Sequence, residues 1–174
     1  MENKFYGLNR KNNISWDQYF MGVAKLSAMR SKDPNTQVGA CIVSNDNRLL
    51  STGYNGAPRG YEDENFPWSR EGNKLDTKYF YVVHAERNAI LNFIGIGREL
   101  EDAKIYVDLF PCNECAKEII QCGIKEVVYI HDKYSNTEEV IAAKRLFDTC
   151  GVKYRKLSKE QEININIAIK LKKD

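Results

Sequence analysis

The hydrophobic positions along the chain follow helical spacing in some segments and strand spacing in others. Apolar side chains recur at helical intervals from residue 16 to residue 28, after a Ser15–Gln18 pair that is typical of a capping box. The β-rich runs QVGACIV and RLLSTGY surround the turn sequence SNDN and predict a β-hairpin. Three helical patterns (HAERNAILNFI, CNECAKEIIQCG and NTEEVIAAKRLFDTCG) then alternate with the strand patterns AKIYVDLF, KEVVYI and VKYRKL. This alternation predicts an α/β fold, a three-layer α/β/α sandwich whose mixed sheet has about five strands with helices on both faces.

Two segments stand outside this alternation. Residues 55–80 have no clean period, and a loop of that length inside a compact domain is usually functional. From residue 162 to residue 171 apolar residues fall on every second position, which predicts a C-terminal strand with one buried face. We expect a single domain over residues 1–174, with its core at about residues 15–156.

Composition and charge narrow the possible functions. The 174-residue chain is 43% hydrophobic and 29% charged, which is typical of a globular protein, and its formal charge of +2 does not indicate a polyanionic partner such as nucleic acid. No run of 18 apolar residues predicts a membrane span, and the N-terminus lacks the apolar core of a signal peptide. An odd number of cysteines, five, without such a leader favours reduced thiols in the cytosol or nucleus, and we expect a cytoplasmic protein.

The candidate chemistry is concentrated in the segments HAE and FPCNECA. Cys112 and Cys115 lie in the first turn of a helix announced by Pro111, where both sulfur atoms face one side and the helix N-terminus stabilises thiolates. His84 begins the preceding helix, and helices that leave the same edge of a sheet start side by side. A zinc ion held by one histidine and two thiolates keeps its fourth position for water, as in catalytic sites. Glu86 could then accept a proton from that water and pass it to the substrate.

Two other uses of the cysteine pair stay open at this point. His131 could complete a closed Cys₂His₂ structural site, although such sites favour compact ligand pairs. The pair could also be a thioredoxin-like redox couple, although no tryptophan precedes Cys112 and the His-x-Glu motif would be unexplained. The other cysteines are expected to be small buried apolar residues: Cys41, Cys122 and Cys150. The combined pattern H-x-E…P-C-x-x-C is that of zinc-dependent nucleobase deaminases.

Several longer stretches resemble the deoxycytidylate (dCMP) deaminase family, especially its eukaryotic branch. They are SAMRSKDPNTQVGACIV, GYNGAPRG, PWSREGNKLDTKY, VVHAERNAI, LFPCNECAKEIIQCGIKEV and DKY, and the resemblance covers about residues 15–156. It implies a cytidine-deaminase-like fold and zinc-dependent hydrolysis of dCMP to dUMP and ammonia, which supplies dUMP for thymidylate synthesis. It also implies that zinc is held by His84, Cys112 and Cys115, with Glu86 as the proton shuttle.

The resemblance implies nucleotide contacts as well. Those around the base and sugar are Val38 to Ala40, Asn55, Ala85 and Tyr134. Asn55 could instead be only a turn residue, since Asn-Gly is a turn signal, and Tyr134 could be only a surface residue. For the phosphate group, charge and hydrogen-bonding capacity suggest Arg30, Ser31 and Lys32. The GYNGAPRG loop is similar to a segment linked with effector binding, and its candidate allosteric residues are Gly53, Tyr54, Gly56 and Gly60.

Family members are commonly homohexamers that dCTP with Mg²⁺ activates and dTTP inhibits, so the resemblance implies a regulated homo-oligomer, a hexamer. The loop 55–80 has no cysteine or histidine, which predicts one catalytic zinc per subunit, without the second zinc of some phage members. Three alternatives stay open: a deaminase of another cytosine nucleotide such as dCTP, a tRNA or RNA adenosine deaminase, and a non-enzymatic zinc scaffold. The near-neutral charge disfavours the RNA substrates, because phosphate neutralisation dominates binding to polymers.

Overall fold

A computed structural model describes residues 12–158. Its helices are α1 (Trp16–Ala28), α2 (Ala85–Leu91), α3 (Asn113–Gln121) and α4 (Glu138–Cys150). Its strands are β1 (Gly39–Val43), β2 (Leu49–Tyr54), β3 (Lys104–Leu109), β4 (Glu126–His131) and β5 (Lys153–Lys156). Short 3₁₀ turns lie at Asp63–Asn65, Lys74–Asp76, Lys78–Phe80 and Gly97–Leu100.

The five strands form one mixed sheet in the order β2-β1-β3-β4-β5. Strand β1 is antiparallel to both β2 and β3, whereas β3, β4 and β5 run parallel. Helix α2 connects β2 to β3, and α3 connects β3 to β4, so both helices begin at the carboxyl ends of strands with the same direction. The predicted strand number, mixed sheet and hairpin are therefore confirmed.

The two faces of the sheet are covered unequally. Of the helices within residues 12–158, α1 is the one that packs on one face, where Phe20 and Ala24 contact the strand residues Cys41, Tyr106 and Val128. The other three helices cover the opposite face, and their buried side chains include Ala85, Ala89, Ala116, Ile119, Ala143 and Phe147. The α/β/α sandwich with helices on both faces is thus as predicted.

Polar contacts fix α1 to the far edge of the sheet. The predicted capping box is present, since the Ser15 hydroxyl accepts from the Gln18 amide and the Gln18 side chain accepts from the Ser15 amide. Asp17, in the first turn of α1, forms a bidentate ion pair with Arg155 of β5, with both N–O distances at 2.8 Å. The hydroxyl of Tyr106 also donates to Asp17, at 2.8 Å. These contacts tie the start of α1 to the edge strand β5 and to the central strand β3.

The structure corrects two details of the sequence analysis. Helix α2 ends at Leu91, earlier than the HAERNAILNFI pattern predicts, because Asn92 already forms the C-cap and the following residues turn towards the 3₁₀ segment. Cys150 is exposed at the last position of α4, so its predicted burial is wrong, whereas Cys41 is buried as expected. The predicted strand at 162–171 lies outside the described residues. Of the helices within residues 12–158, none has the length and apolar character needed to cross a membrane.

Candidate active site

Two neighbouring helix starts carry the candidate metal ligands. His84 is the N-cap of α2 and Cys112 is the N-cap of α3, and both have extended backbone, with ψ values of 157° and 172°. Their carbonyl oxygens accept the first helical hydrogen bonds, from the amides of Asn88 and Ala116, each at 2.9 Å. Neither side chain forms a capping hydrogen bond in its own helix. Both side chains are therefore free of capping roles and can bind a ligand between the two helix starts.

His84, Cys112 and Cys115 form one compact group of potential metal ligands. Nδ1 of His84 lies 3.5 Å from Sγ of Cys112 and 3.5 Å from Sγ of Cys115. The ligand atoms of all three residues lie within 4.8 Å of one another. In tetrahedral zinc sites, metal–ligand bonds of about 2.0–2.3 Å separate the ligand atoms by roughly 3.5 Å. One imidazole and two thiols at these separations fit a zinc ion, and His131 is not part of the group.

The two thiols of this group are electrostatically coupled. Hydrogen bonds from Cys115 and from the His84 imidazole hold the pKa of Cys112 well below its usual range. The pKa of Cys115 is raised, first because it donates to Cys112 and second because it is buried. Cys112 is therefore the more acidic thiol of the pair. A divalent cation would displace the thiol protons, since coordinating thiols ionise.

Glu86 places a carboxylate beside this group without joining it. It lies in the first turn of α2, where its side chain is 5% exposed. Burial raises the pKa of Glu86, while the neighbouring His84 acts in the opposite direction. A carboxyl group whose pKa is raised exchanges protons more readily near neutral pH than an exposed glutamate does.

A cavity of about 320 Å³, called here the main cavity, opens beside His84, Glu86 and Cys112. This volume is within the range of small-molecule sites. The residues predicted to contact base and sugar that line it are Val38, Asn55, Ala85 and Tyr134. The structure thus brings these residues together with the metal-ligating group, and their roles in binding stay predictions.

Helix α2 approaches β2 closely, which sets the position of His84 and Glu86. A Cβ atom on Gly53 would lie 2.3 Å from the carbonyl oxygen of Ala85 and 2.3 Å from the amide nitrogen of Ala89. The side chain of Asn88 also donates to the carbonyl of Tyr54, at 2.7 Å. Gly53 was a candidate effector residue, but the structure places it beneath α2, where only glycine allows this approach.

An ion pair that the sequence analysis missed joins α2 to α3. Nε of Arg87 donates to Oε1 of Glu118 at 2.6 Å, and the two residues are 31 positions apart. The other carboxylate oxygen of Glu118 is buried without a hydrogen-bond partner. The pair thus connects the first turn of α2 to the second turn of α3. No local sequence pattern could have revealed this ion pair, because each of the two residues looks like an ordinary surface charge within its own helix.

A buried polar cluster supports the wall of the main cavity. Asp33 and Lys78 form an ion pair whose side chains are only 1% and 8% exposed. Asp33 also accepts hydrogen bonds from the amide of Asn35 at 2.8 Å and from the side chain of Asn55 at 3.3 Å. The side-chain oxygen of Asn55 accepts from the amide of Val38, at 2.8 Å. The cluster therefore fixes the side chain of Asn55, and sequence reasoning did not identify its two charged members.

The three residues suggested for the phosphate group do not lie in the main cavity. Arg30 and Lys32 line a different cavity, and the hydroxyl of Ser31 donates to the carbonyl of Asn55 at 2.8 Å. The described cations that do line the main cavity are Arg70 and Lys78. Both come from the long loop at 55–80, whose lack of periodicity was the only sequence signal of a functional role.

The second cavity has a volume of about 350 Å³ and is lined chiefly by loop residues. It combines three basic residues with one acidic residue: Arg30, Lys32 and Arg59, with Asp63. Asp63 already forms an ion pair with Lys32, at 2.5 Å. The candidate effector residues Tyr54, Gly56 and Gly60 line this cavity. The GYNGAPRG loop and the RSK segment thus meet at one basic site.

Known proteins share this combination of fold and motif. Residues 14–131 match the family model for the cytidine and deoxycytidylate deaminase zinc-binding region. The chain is 55% identical over 148 residues to deoxycytidylate deaminase of Homo sapiens, covering 84% of this chain and 82% of the relative. It is 54% identical over 150 residues to deoxycytidylate deaminase of Mus musculus, covering 86% and 83%. The chain belongs to the cytidine and deoxycytidylate deaminase family.

A solved member of this deaminase family has the same fold. The dCMP deaminase from the cyanophage S-TIM5, in complex with dCMP and dUMP, has a TM-score of 0.62 and 26% sequence identity to this chain. The match covers 80% of this chain and 95% of that chain. The predicted cytidine-deaminase-like fold is therefore confirmed, and the whole metal-ligating group with Glu86 lies inside the region matched by the family model.

Proposed function

We propose that this chain catalyses the zinc-dependent hydrolytic deamination of dCMP to dUMP and ammonia and so supplies dUMP for thymidylate synthesis. The observation that carries the proposal is a His/Cys/Cys group beside a buried glutamate, on the wall of one cavity. The high identity to deoxycytidylate deaminases, over most of both chains, supports dCMP as the substrate. We further propose that residues 1–174 form one deaminase domain, located in the cytoplasm.

The metal would be one zinc ion per subunit, held by His84, Cys112 and Cys115. When bound, it would supply Lewis-acid activation of the attacking water. The protein fold positions the metal ligands. The packing of α2 on β2 and the Arg87–Glu118 ion pair hold the starts of α2 and α3, and so their ligand residues, beside each other. The small separations among the three ligand atoms mean that little movement is needed for binding.

Glu86 would move the proton. Its carboxylate would accept a proton from the attacking water and pass it to N3 as the C4–O bond forms and the C4=N3 double bond opens. It would then take the hydroxyl proton and deliver it to the amino nitrogen as the C4–N bond breaks and the C4=O bond forms. One water is consumed and one ammonia is released, so Glu86 ends the cycle in its starting state. The raised pKa of this buried group suits both directions of transfer.

The other walls would orient the nucleotide. Val38, Ala85, Tyr134 and Asn55 line the cavity. Val38 and Ala85 would flank the base with backbone groups, Tyr134 would pack against the nucleotide, and Asn55 would face the sugar. The amide nitrogen of Asn55 is already engaged by Asp33 and by the carbonyl of Thr36, at 3.3 and 2.9 Å. Its side-chain oxygen, which has a second lone pair, is therefore the atom that would accept a hydrogen bond from a sugar hydroxyl.

The second cavity would bind the regulatory nucleotides, with dCTP and Mg²⁺ as activator and dTTP as inhibitor. Its cluster of three basic side chains suits a triphosphate, and Tyr54, Gly56 and Gly60 contribute loop surface there. We also propose that the protein is a homohexamer. Exposed apolar side chains at and after the end of α2 support subunit contacts there: Leu91, Ile94 and Ile96.

An ammonia-release assay tests this function. Purified protein with stoichiometric zinc is given dCMP, dCTP, deoxycytidine or AMP, each with and without added dCTP as effector. We expect dCMP to be the preferred substrate and dCTP to lower the dCMP concentration needed for half-maximal rate. Preference for dCTP would support a deaminase of another cytosine nucleotide, and preference for AMP would support an adenosine deaminase. Release of no ammonia from any substrate would support a non-enzymatic zinc scaffold.

A further inference from the structure

Five charged side chains among the described residues line the main cavity, and three of them already have a partner or a role within the protein. Lys78 is ion-paired with Asp33 behind the wall, and the pair is almost completely buried. Moving Lys78 to a ligand would leave a buried carboxylate unpaired, which is strongly unfavourable. Glu86 lies beside the metal-ligating group and is assigned to proton transfer. Two charged side chains of the cavity lining are left for other uses, Arg70 and Glu139.

Arg70 is placed to bind an anion. Its side chain is exposed, and within residues 12–158 it has no carboxylate partner. Instead its Nε donates to the hydroxyl of Tyr79 at 3.3 Å, and the side chain of Tyr134 lies close enough to interact with it. Both tyrosines also line the main cavity. Its guanidinium group has more N–H donors than these tyrosines engage, and the remaining donors can meet a phosphate in the fork geometry that such groups favour.

The tyrosine hydroxyls complete this corner. Because the Tyr79 oxygen accepts from Arg70, its own proton is available to donate to a further acceptor. Arg70 and Tyr79 belong to the long loop, whereas Tyr134 follows β4, so the corner closes only in the folded chain. One guanidinium group and two hydroxyls can satisfy one phosphate group.

The remaining carboxylate limits how much negative charge the cavity accepts. Glu139, in the first turn of α4, lines the same cavity and forms no ion pair within the described residues. A triphosphate would bring additional negative charge towards Glu139 and Glu86 while gaining only one cation. The second cavity, with three basic residues, is the better site for a triphosphate.

We infer that Arg70, with the hydroxyls of Tyr79 and Tyr134, binds the 5′-phosphate of the substrate and selects a nucleoside monophosphate over the nucleoside and the triphosphate. This inference rests on the proposed function, because it assigns one end of the same substrate. It moves the phosphate contacts from the RSK segment to the long loop. Arg70 is a substrate-binding residue, and the reacting atoms lie at the other end of the nucleotide.

The test compares kcat/KM for dCMP and for deoxycytidine in the wild type, Arg70→Gln and Arg70→Lys. We expect Arg70→Gln to lower kcat/KM for dCMP by about 10- to 100-fold, mainly through KM, and to change deoxycytidine by less than about twofold. Arg70→Lys should recover part of the loss, since it keeps the charge but not the fork. The matched control is Arg48→Gln, an exposed arginine of the β1–β2 turn paired with Asp46, which should leave both substrates unchanged.

Competition by inorganic phosphate provides a second measurement. Phosphate should inhibit dCMP turnover by the wild type at lower concentration than it inhibits Arg70→Gln. The inference would be overturned if Arg70→Gln lowered kcat/KM equally for dCMP and deoxycytidine. It would also be overturned if the ratio of kcat/KM for dCMP to that for deoxycytidine stayed unchanged. If the wild type released no ammonia from any cytosine substrate, the proposed function itself would fail, and that result is distinct from either of these.

Discussion

Two segments of the chain each contribute residues to both the main cavity and the second cavity. In the first segment Arg30 and Lys32 line the second cavity, while Asp33 and Thr36 line the main cavity. In the second segment Tyr54 and Gly56 line the second cavity and Asn55, between them, lines the main one. The cavities are thus adjacent: the first segment passes from one to the other after Lys32, and neighbouring residues of the second segment serve different cavities.

The two cavities differ in how they are built and in their charge. The main cavity takes its chemical groups from helix starts, where a ligand or carboxylate is fixed by the regular structure behind it. The second cavity is made chiefly of loop residues that carry mostly positive charge. Rigid elements hold reacting groups in place, whereas a basic loop site can recognise charge with less demanding geometry. The difference suggests chemistry in the first and anion recognition in the second.

Loss of a metal ligand should have the largest effect on the main cavity. Cys112→Ser replaces a thiol of the metal-ligating group, and we expect loss of bound zinc, loss of deamination and a lower melting temperature, since metal binding stabilises the folded site. Zinc content by elemental analysis, ammonia release and thermal unfolding measure these. Cys122→Ser is the matched control, because Cys122 lies outside the group at the end of α3. Stoichiometric zinc with full activity in Cys112→Ser would show that the ligand assignment is wrong.

Loss of the buried carboxylate should separate chemistry from metal binding. Glu86→Gln keeps the shape of the side chain but cannot accept a proton, so we expect kcat to fall by about 10²- to 10⁴-fold with zinc content unchanged. Glu114→Gln, an exposed glutamate in the first turn of α3, should behave like the wild type. A variant at Glu86 that kept full turnover would exclude the proposed proton transfer.

The buried Asp33–Lys78 pair at the main cavity should matter chiefly for stability. Lys78→Met leaves Asp33 buried without its cation, and we expect the free energy of unfolding to fall by about 3–5 kcal/mol. Adding Asp33→Asn in the same chain should recover part of that loss, because the unpaired charge is removed. Denaturant unfolding of the two variants measures the difference, and the exposed Lys74→Met is the control for loss of a loop lysine. Equal stability of Lys78→Met and the wild type would mean that the buried pair contributes little to the wall.

The residues that sequence reasoning identified belong to short local motifs, whereas those that it missed interact with partners far away along the sequence. His84, Glu86, Cys112 and Cys115 could be found because two local spacings at predicted helix starts are enough to place them. The Asp33–Lys78 pair spans 45 positions, and its members look like ordinary loop charges until the chain folds. Within residues 12–158 the predicted elements were likewise correct in kind, and the end of α2 was wrong because the cap at Asn92 overrides the continuing apolar pattern.

The misplacement of Arg30 and Lys32 has a similar cause, and it leads to the smallest predicted effect. A basic segment near the predicted site suggested phosphate contacts, but the sequence does not show which side of Asn55 each side chain faces. In the structure they face the second cavity, with Arg59. The double variant Arg30→Gln/Arg59→Gln should therefore weaken dCTP binding by about 10- to 100-fold, measured by isothermal titration calorimetry with Mg²⁺, because two charge-assisted contacts are removed. Arg98→Gln, an exposed arginine outside both cavities, is the control. An unchanged dissociation constant in the double variant would mean that triphosphates bind elsewhere, and the contrast between a reacting cavity and an anion-recognising cavity would then fail.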